Sequence, residues 1–258
     1  MTPLPNFTML GAGPIILMLH GALGGSRAFA PQVESYASLG YRAVAWDMPG
    51  YGHSVPIEPY SFKGLAQSCI ALAESLLQSR GDPSLILLGH DIGGMVAQEV
   101  VARRPELVNR LILCGTLAAA PAGEAAPEAS QDMAQLAQTL MPQRIGPGAL
   151  PEGVQLASYC MAGVHAATYR KALEAMAGFD RRANLPLIHV PTLLVAGEYD
   201  RQTPAPAMRE MAAAIPGGRC MTLRGIGHFQ NLEAPEAFDG AVLDFLGRTA
   251  GSAEATLH

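Results

Sequence analysis

Three groups of residues in this sequence have the types and spacing for bond-breaking chemistry. Gly89-His90-Asp91-Ile92-Gly93-Gly94 sets an aspartate between glycines, after the apolar run 84–88 and before a stretch of helical spacing. A sharp strand-to-helix turn of this kind presents its central side chain, and the flanking glycines let strand and helix close in. The following helix would aim its N-terminus at Asp91, which favours developing negative charge there. An aspartate in this position also has a plainer role, as a helix cap. Asp200 follows a second apolar run, 192–196, and His228 ends Gly225-Ile226-Gly227-His228 after a third, 220–223. Nucleophile, acid and histidine then stand in the chain order of a hydrolytic triad built on a parallel sheet. His228 needs a carboxylate to fix its tautomer and stabilise its cation, and Asp200 is the natural one.

The loop His20-Gly21-Ala22-Leu23-Gly24-Gly25 follows the run 14–19. Its small residues let backbone N–H groups face a site, so the N–H of Ala22 and the N–H of Ile92 are the expected oxyanion hole. His20 is a candidate substrate contact. The loop lacks the pattern and lysine of a phosphate loop, which argues against nucleotide binding. Asp47-Met48-Pro49-Gly50-Tyr51-Gly52-His53-Ser54 reads as a structural turn, with His53 in a loop.

The elements that must hold these groups form a regular pattern. Continuous apolar runs at 14–19, 42–46, 84–88, 111–114, 192–196 and 220–223 suit strands buried on both faces. Helical spacing at 62–78, 95–104, 205–214 and 235–246 separates them. Strand alternating with helix predicts an α/β fold with a mostly parallel sheet and right-handed crossovers. Ligands in such sheets bind beyond the carboxyl ends of the strands, where His20, Asp47, Asp91 and Asp200 fall. The alternation breaks after 117. An Ala/Pro/Glu-rich bridge, 118–130, leads to helical pieces at 132–141, 154–162 and 166–176. The expected organisation is one domain over residues 1–258, with 1–117 and 191–258 as core and 118–190 as a helical cap.

Bulk composition fits that reading. The chain has 258 residues, 49% hydrophobic and 15% charged, with 28 glycines and 20 prolines for its many short connections. A chain of this size buries about three quarters of its unfolded surface and holds a core without staples. The net charge of −5, with no basic run, argues against a nucleic-acid partner. Cys69, Cys114, Cys160 and Cys220 are too widely spaced for a CxxC metal or redox pair. The expectation is a cofactor-free and metal-free protein whose partners are a small-molecule substrate and water. The start of the chain lacks the charged and apolar regions of a signal peptide, and no apolar run reaches the roughly 18 residues of a membrane span. A cytoplasmic location is the default expectation.

Taken together, these residues resemble the α/β-hydrolase superfamily over nearly the whole chain. The resemblance rests on the His20-Gly21 loop, the Asp47-x-Pro49-Gly50-x-Gly52-x-Ser54 turn, the elbow, Gly197-x-x-Asp200 and Gly227-His228. Two branches pull apart. Gly94-Met95-Val96-Ala97-Gln98-Glu99, Ala102-Arg103-Arg104-Pro105-Glu106-Leu107-Val108, Ala177-Gly178-Phe179-Asp180 and Asn231-Leu232-Glu233-Ala234-Pro235-Glu236 look like the carboxylesterase and 3-oxoadipate enol-lactonase branch, which uses serine at the elbow. Asp91 looks like the nucleophile of epoxide hydrolases and of haloalkane or haloacetate dehalogenases. Those families place proline where this chain has Leu23, and Trp or Arg where it has Ile92; the single tryptophan is Trp46. Epoxide hydrolases protonate the leaving oxygen with two cap tyrosines, a role the resemblance would give to Tyr159 and Tyr169. The plainer role of those tyrosines is apolar packing.

An aspartate changes the chemistry. A carboxylate with a reference pKa of about 3.9 is ionised at neutral pH and needs no base before it attacks. It can displace a leaving group from a saturated carbon, and His228 can then activate water against the resulting ester. Against an ester or lactone carbonyl, the same carboxylate can act as a base on water. The expected function is hydrolysis of a small organic substrate of ester or lactone type through Asp91, His228 and Asp200. The alternatives are an epoxide hydrolase or haloacid dehalogenase, a serine-to-aspartate replacement in an esterase, and a non-catalytic member that keeps the pocket for binding.

Overall fold

The computed structural model describes residues 3–79, 81–120 and 132–254, with side chains to 247. Of the predicted bridge 118–130, residues 121–130 lie outside them. In chain order the elements are β1 (Phe7–Leu10), β2 (Ile15–Leu19), α1 (Ala30–Ser38), β3 (Arg42–Trp46), α2 (Phe62–Gln78), β4 (Leu85–His90), α3 (Ile92–Arg103) and β5 (Val108–Cys114). They continue with α4 (Met133–Arg144), α5 (Pro151–Ala162), α6 (Ala166–Ala177), β6 (Thr192–Gly197), α7 (Ala205–Ala214), β7 (Arg219–Leu223), α8 (Gln230–Glu233) and α9 (Pro235–Glu254). All six predicted strands form, within a few residues of the apolar runs. Among the described residues, no helix is long and apolar enough to cross a membrane.

The described strands make a seven-stranded sheet in the order β1-β3-β2-β4-β5-β6-β7. Only β1 runs antiparallel, against β3. The chain begins the parallel part at β2, moves outward to β3, then crosses back to β4 on the other side. The order therefore reverses between β2 and β4, and the loops leaving these neighbours diverge to open a crevice. Leu19 pairs with Gly89 at the end of that register, so the His20-Gly21-Ala22 loop and the Asp91 elbow leave side by side.

Alternation along the buried strands splits the core into two layers. Ile16, Met18, Ala43, Ala45, Ile86 and Leu88 face α1 and α9 through Phe29, Val33, Tyr36, Phe238 and Val242. Ile15, Leu17, Leu19, Val44, Trp46, Leu85 and Leu87 face the layer that holds α2, α3 and α7. Because both faces are covered, the strands read as unbroken apolar runs.

Besides the short α8, two elements have no counterpart in the sequence pattern. Helix α1 carries Gln32 on its buried face, where its amide donates to the Asn231 carbonyl at 3.0 Å and to Asp239 Oδ1 at 3.3 Å. A polar residue at a core position hides the helical period. Strand β1 is exposed at all four positions and has no apolar run to betray it.

Candidate active site

The elbow is held in a conformation that side chains rarely adopt. Asp91 has φ 52° and is the one non-glycine residue with positive φ among those described. Such strain costs about 1–3 kcal/mol and persists only where surrounding contacts enforce it. The Asp91 N–H donates to the Cys114 carbonyl at 3.1 Å. The Asp91 carbonyl accepts from Gly94 N–H at 2.9 Å and from the Thr116 hydroxyl at 2.8 Å. Asp91 stands at the cap position of α3, but its side chain makes no capping bond. The carboxylate is thus turned away from the helix.

Gly93 and Gly89 are required by close approach. A Cβ on Gly93 would stand 2.2 Å from the Leu19 carbonyl oxygen, and one on Gly89 would stand 2.4 Å from the Gly93 carbonyl oxygen. Backbone atoms cannot step aside as a flexible side chain can. Gly93→Ala should therefore destabilise by about 3 kcal/mol or more. For a chain this size that lowers Tm by about 6–12 °C in a thermal melt. An unchanged Tm would mean that the elbow is looser than this packing implies.

The carboxylate is turned toward the first loop. The Ala22 N–H donates to Asp91 Oδ2 at 2.9 Å. Ile92 opens α3, where a backbone N–H has no partner inside the helix. Both expected oxyanion-hole residues thus lie at the elbow, and Ala22 already holds the aspartate. The Asp47 turn braces this loop: the Tyr51 hydroxyl donates to the Ala22 carbonyl at 2.9 Å, and Ser26 N–H donates to Asp47 Oδ1 at 2.8 Å.

Asp200 and His228 meet across the ends of β6 and β7. His228 Nδ1 donates to Asp200 Oδ2 at 2.9 Å, and both side chains are buried. Asp200 Oδ1 also accepts from the backbone of Gln202 at 2.9 Å and Thr203 at 3.0 Å, and Oδ2 accepts from the Thr203 hydroxyl. Burial raises the pKa of Asp200, but the charge and hydrogen bond of His228, with the Thr203 bonds, outweigh it and hold the carboxyl well below its usual range. Burial lowers the pKa of His228; Asp200 and then Asp91 outweigh it, so the net shift is upward. Asp91 is therefore within electrostatic reach of the imidazole.

Other expected site residues fall differently. His20 is fully enclosed, and both ring nitrogens are used inside the protein. Nδ1 donates to the Gly21 carbonyl at 2.8 Å, and Nε2 accepts from Met48 N–H at 2.9 Å. It ties the His20–Gly25 loop to the Asp47 turn and has no nitrogen left for a substrate. Burial lowers its pKa, in keeping with a neutral ring. The two tyrosines of the α4–α6 insert part company. Tyr159 is 60% exposed and its hydroxyl accepts from Arg27 Nη1 at 2.8 Å on the outer surface. Tyr169 is 1% exposed, and Asp91 contributes to its raised pKa, though burial contributes most. Only Tyr169 faces inward; the pair does not converge.

Three residues act here that the motifs alone left without a role. His90, beside the nucleophile position, donates from Nε2 to the His228 carbonyl at 2.8 Å, with the rings 4.9 Å apart. Burial and then the His228 charge lower its pKa to about 4, so it is a neutral prop for the His228 backbone. Glu233 accepts from the N–H groups of Gly146, Gly227 and Phe229 at 2.8, 2.7 and 2.8 Å, fixing the histidine loop. Arg144 ends α4, and its carbonyl accepts from His228 N–H at 2.7 Å. A histidine next to the elbow aspartate is the one local signal from which any of them could have been found.

Comparison with known proteins agrees with this fold. A stretch of the polyketide synthase ThaQ of Burkholderia thailandensis is 30% identical over 260 residues, covering 95% of this chain but 12% of that protein. The 3-oxoadipate enol-lactonase 2 of Acinetobacter baylyi is 30% identical over 239 residues, covering 88% of this chain and 86% of that one. Among solved structures, the enol-lactonase from Burkholderia xenovorans superposes with a TM-score of 0.84 at 25% identity, covering 94% of this chain and 96% of that one. Residues 16–241 match the alpha/beta hydrolase family, and the chain belongs to that family as a hydrolase.

Proposed function

We propose that this hydrolase cleaves a small organic substrate through Asp91, His228 and Asp200, with Asp91 as a covalent nucleophile toward a saturated carbon. The observation that carries this reading is the bond from Ala22 N–H to Asp91 Oδ2. A hole meant for the oxyanion of a substrate carbonyl would need to be vacant. Here the nucleophile's own oxygen fills it. That suits a two-step reaction. Asp91 Oδ1 attacks carbon and displaces halide, or opens an epoxide, to give an alkyl–aspartyl ester. Oδ2 is then the ester carbonyl oxygen, already against the Ala22 N–H where negative charge develops next. Neutral His228 takes a proton from water as the water attacks the Asp91 carbonyl carbon. The intermediate collapses to free Asp91 and an alcohol, which receives the proton. Asp200 stabilises the imidazolium between these events. Tyr169, with its hydroxyl inside, is the cap tyrosine suited to protonate an epoxide oxygen.

A second reading has its own support. The enol-lactonase relatives favour an ester or lactone as substrate. There Asp91 acts with His228 as a base on water. One single-turnover reaction in H₂¹⁸O separates the two. Under the covalent reading, label enters the Asp91 carboxylate and the first product carries unlabelled oxygen. Label in the product with none on Asp91 would exclude the ester intermediate.

The pH profile tests the His228–Asp200 pair. The water-activation step needs neutral His228, so activity should rise with pH through an inflection above the ordinary histidine value of 6.5. Asp200→Asn removes the main group that raises this pKa. The inflection should move to lower pH, and kcat should fall about 10⁴-fold as tautomer and orientation are lost. An inflection that stays in place in Asp200→Asn would sink the pairing.

A further inference from the structure

Behind the loop that holds Asp91 the structure has a second cavity, open to solvent. Its volume of about 670 Å³ falls within the range of small-molecule sites. None of Asp91, Ile92, Tyr169 and His228 lines it. The two spaces share a wall: Tyr51 lines the cavity, and its hydroxyl donates to the Ala22 carbonyl at 2.9 Å.

Three separate segments bring basic side chains to this cavity. Arg27 comes from the turn Ser26–Phe29, His53 from the Asp47 turn, and His165 from the link between α5 and α6. Core and insert therefore both contribute. In a chain of net charge −5, three basic groups around one cavity reverse the sign locally. Asp47 is the one carboxylate on its lining among the described residues. Asp47 Oδ1 already accepts from Ser26 N–H at 2.8 Å, and a Cβ on Gly52 would stand 2.4 Å from Oδ2. Both oxygens thus lie against the loop backbone.

Arg27 is held in place before any ligand arrives. Its Nη1 donates to the Tyr159 hydroxyl at 2.8 Å, and its guanidinium carbon lies 5.6 Å from the centre of that ring. No carboxylate pairs with it among the described residues. An arginine fixed in this way has already lost the side-chain freedom that binding would remove. The wall is fixed as well: Asn6 N–H donates to Ser54 Oγ at 2.8 Å, and that hydroxyl donates to the Asp47 carbonyl at 2.6 Å.

We propose that this cavity is a second ligand site, one that takes a phosphate group, either free or carried as a monoester by a small polar molecule. A guanidinium fork and two imidazoles on separate segments can each meet a different oxygen of a tetrahedral anion, whereas a planar carboxylate suits the fork alone. An imidazole offers an N–H in either protonation state. Asn6, Thr8 and Ser26 line the same space and suit the hydroxyls of an attached polyol. The ligand touches core and insert at once, so it binds the folded chain and steadies their junction. The site does not depend on which reaction Asp91 performs.

Calorimetric titration of the intact protein with glucose 6-phosphate, inorganic phosphate and glucose tests the assignment. At low ionic strength at least one phosphate should bind with a Kd of about 1 mM or tighter, and glucose should not. Tighter binding of glucose 6-phosphate identifies the ester as the ligand, and equal or tighter binding of inorganic phosphate identifies the free ion. Arg27→Met should weaken phosphate binding at least about tenfold, and Arg27→Lys should recover part of it. The double variant His53→Gln, His165→Gln leaves the Arg27–Tyr159 bond intact and should also weaken binding about tenfold, so it decides the matter if Arg27→Met melts early. Asp91→Asn should bind phosphate as the unmodified protein does, since Asp91 does not line the cavity. Failure of both phosphates to bind below about 10 mM overturns the proposal. So does unchanged phosphate affinity in a folded Arg27→Met or in the histidine double variant, and so does a loss of about tenfold in Asp91→Asn, which would place the anion at the elbow.

Discussion

Asp91→Asn should abolish turnover, lowering kcat on the order of 10⁴- to 10⁶-fold, the scale on which nucleophile deletions act. The replacement keeps shape and keeps an acceptor for the Ala22 N–H, so Tm should hold. What is lost is the anionic oxygen that attacks carbon. Asp91→Ser makes the complementary test. It supplies a hydroxyl that His228 can deprotonate, and it empties the position that Oδ2 occupies against Ala22. It should lose activity on epoxides and haloacids while gaining measurable hydrolysis of aryl esters. Kinetics of the three proteins on one epoxide, one haloacid and one aryl ester read both effects. Activity of Asp91→Asn within about tenfold of the unmodified enzyme on its best substrate would remove Asp91 from the mechanism.

Glu233→Ala should be the most destabilising side-chain truncation near the site. Its carboxylate is fully buried and satisfies three backbone N–H groups on two loops. Truncation leaves three buried donors without partners, each costing about 1–3 kcal/mol. A loss of at least about 3 kcal/mol lowers Tm by about 10 °C for a chain of this size. Because Gly227 and Phe229 flank His228, kcat should fall as well, even at temperatures where the variant is folded. Glu233→Gln keeps one acceptor oxygen but aims an NH₂ group at a backbone donor, so it should fall between. Chemical or thermal unfolding beside kcat at low temperature measures both. A Glu233→Ala protein with unchanged Tm would show that water or a backbone shift replaces the carboxylate.

Much of the site was legible because its signals are local. A glycine-flanked aspartate between a buried run and a helix fixes an elbow within a few residues, and Asp200 and His228 each follow their own strand. Chain order then gives the role expected of each. Runs buried on both faces announced the parallel sheet in the same way. What escaped depends on which way a side chain faces. Tyr159 and Tyr169 are the same residue type on neighbouring helices, yet packing sends one to Arg27 on the surface and the other inward. His20 ends a strand where ligands bind, but Met48, 28 residues on, takes the nitrogen that a substrate would use.

The sequence by itself determined the sheet, the elbow and the placing of Asp91, Asp200 and His228 at strand ends, because these rest on short-range periodicity and steric need. The tertiary structure decided the rest. Glu233 reaches Gly146 across 87 positions, Arg144 meets His228, and Ala22 binds Asp91 across 69. Such contacts are set by how layers and loops pack, and no local pattern of residues encodes them. Among the several reactions the elbow suits, the bond between Ala22 and Asp91 is what favours the proposed attack at a saturated carbon.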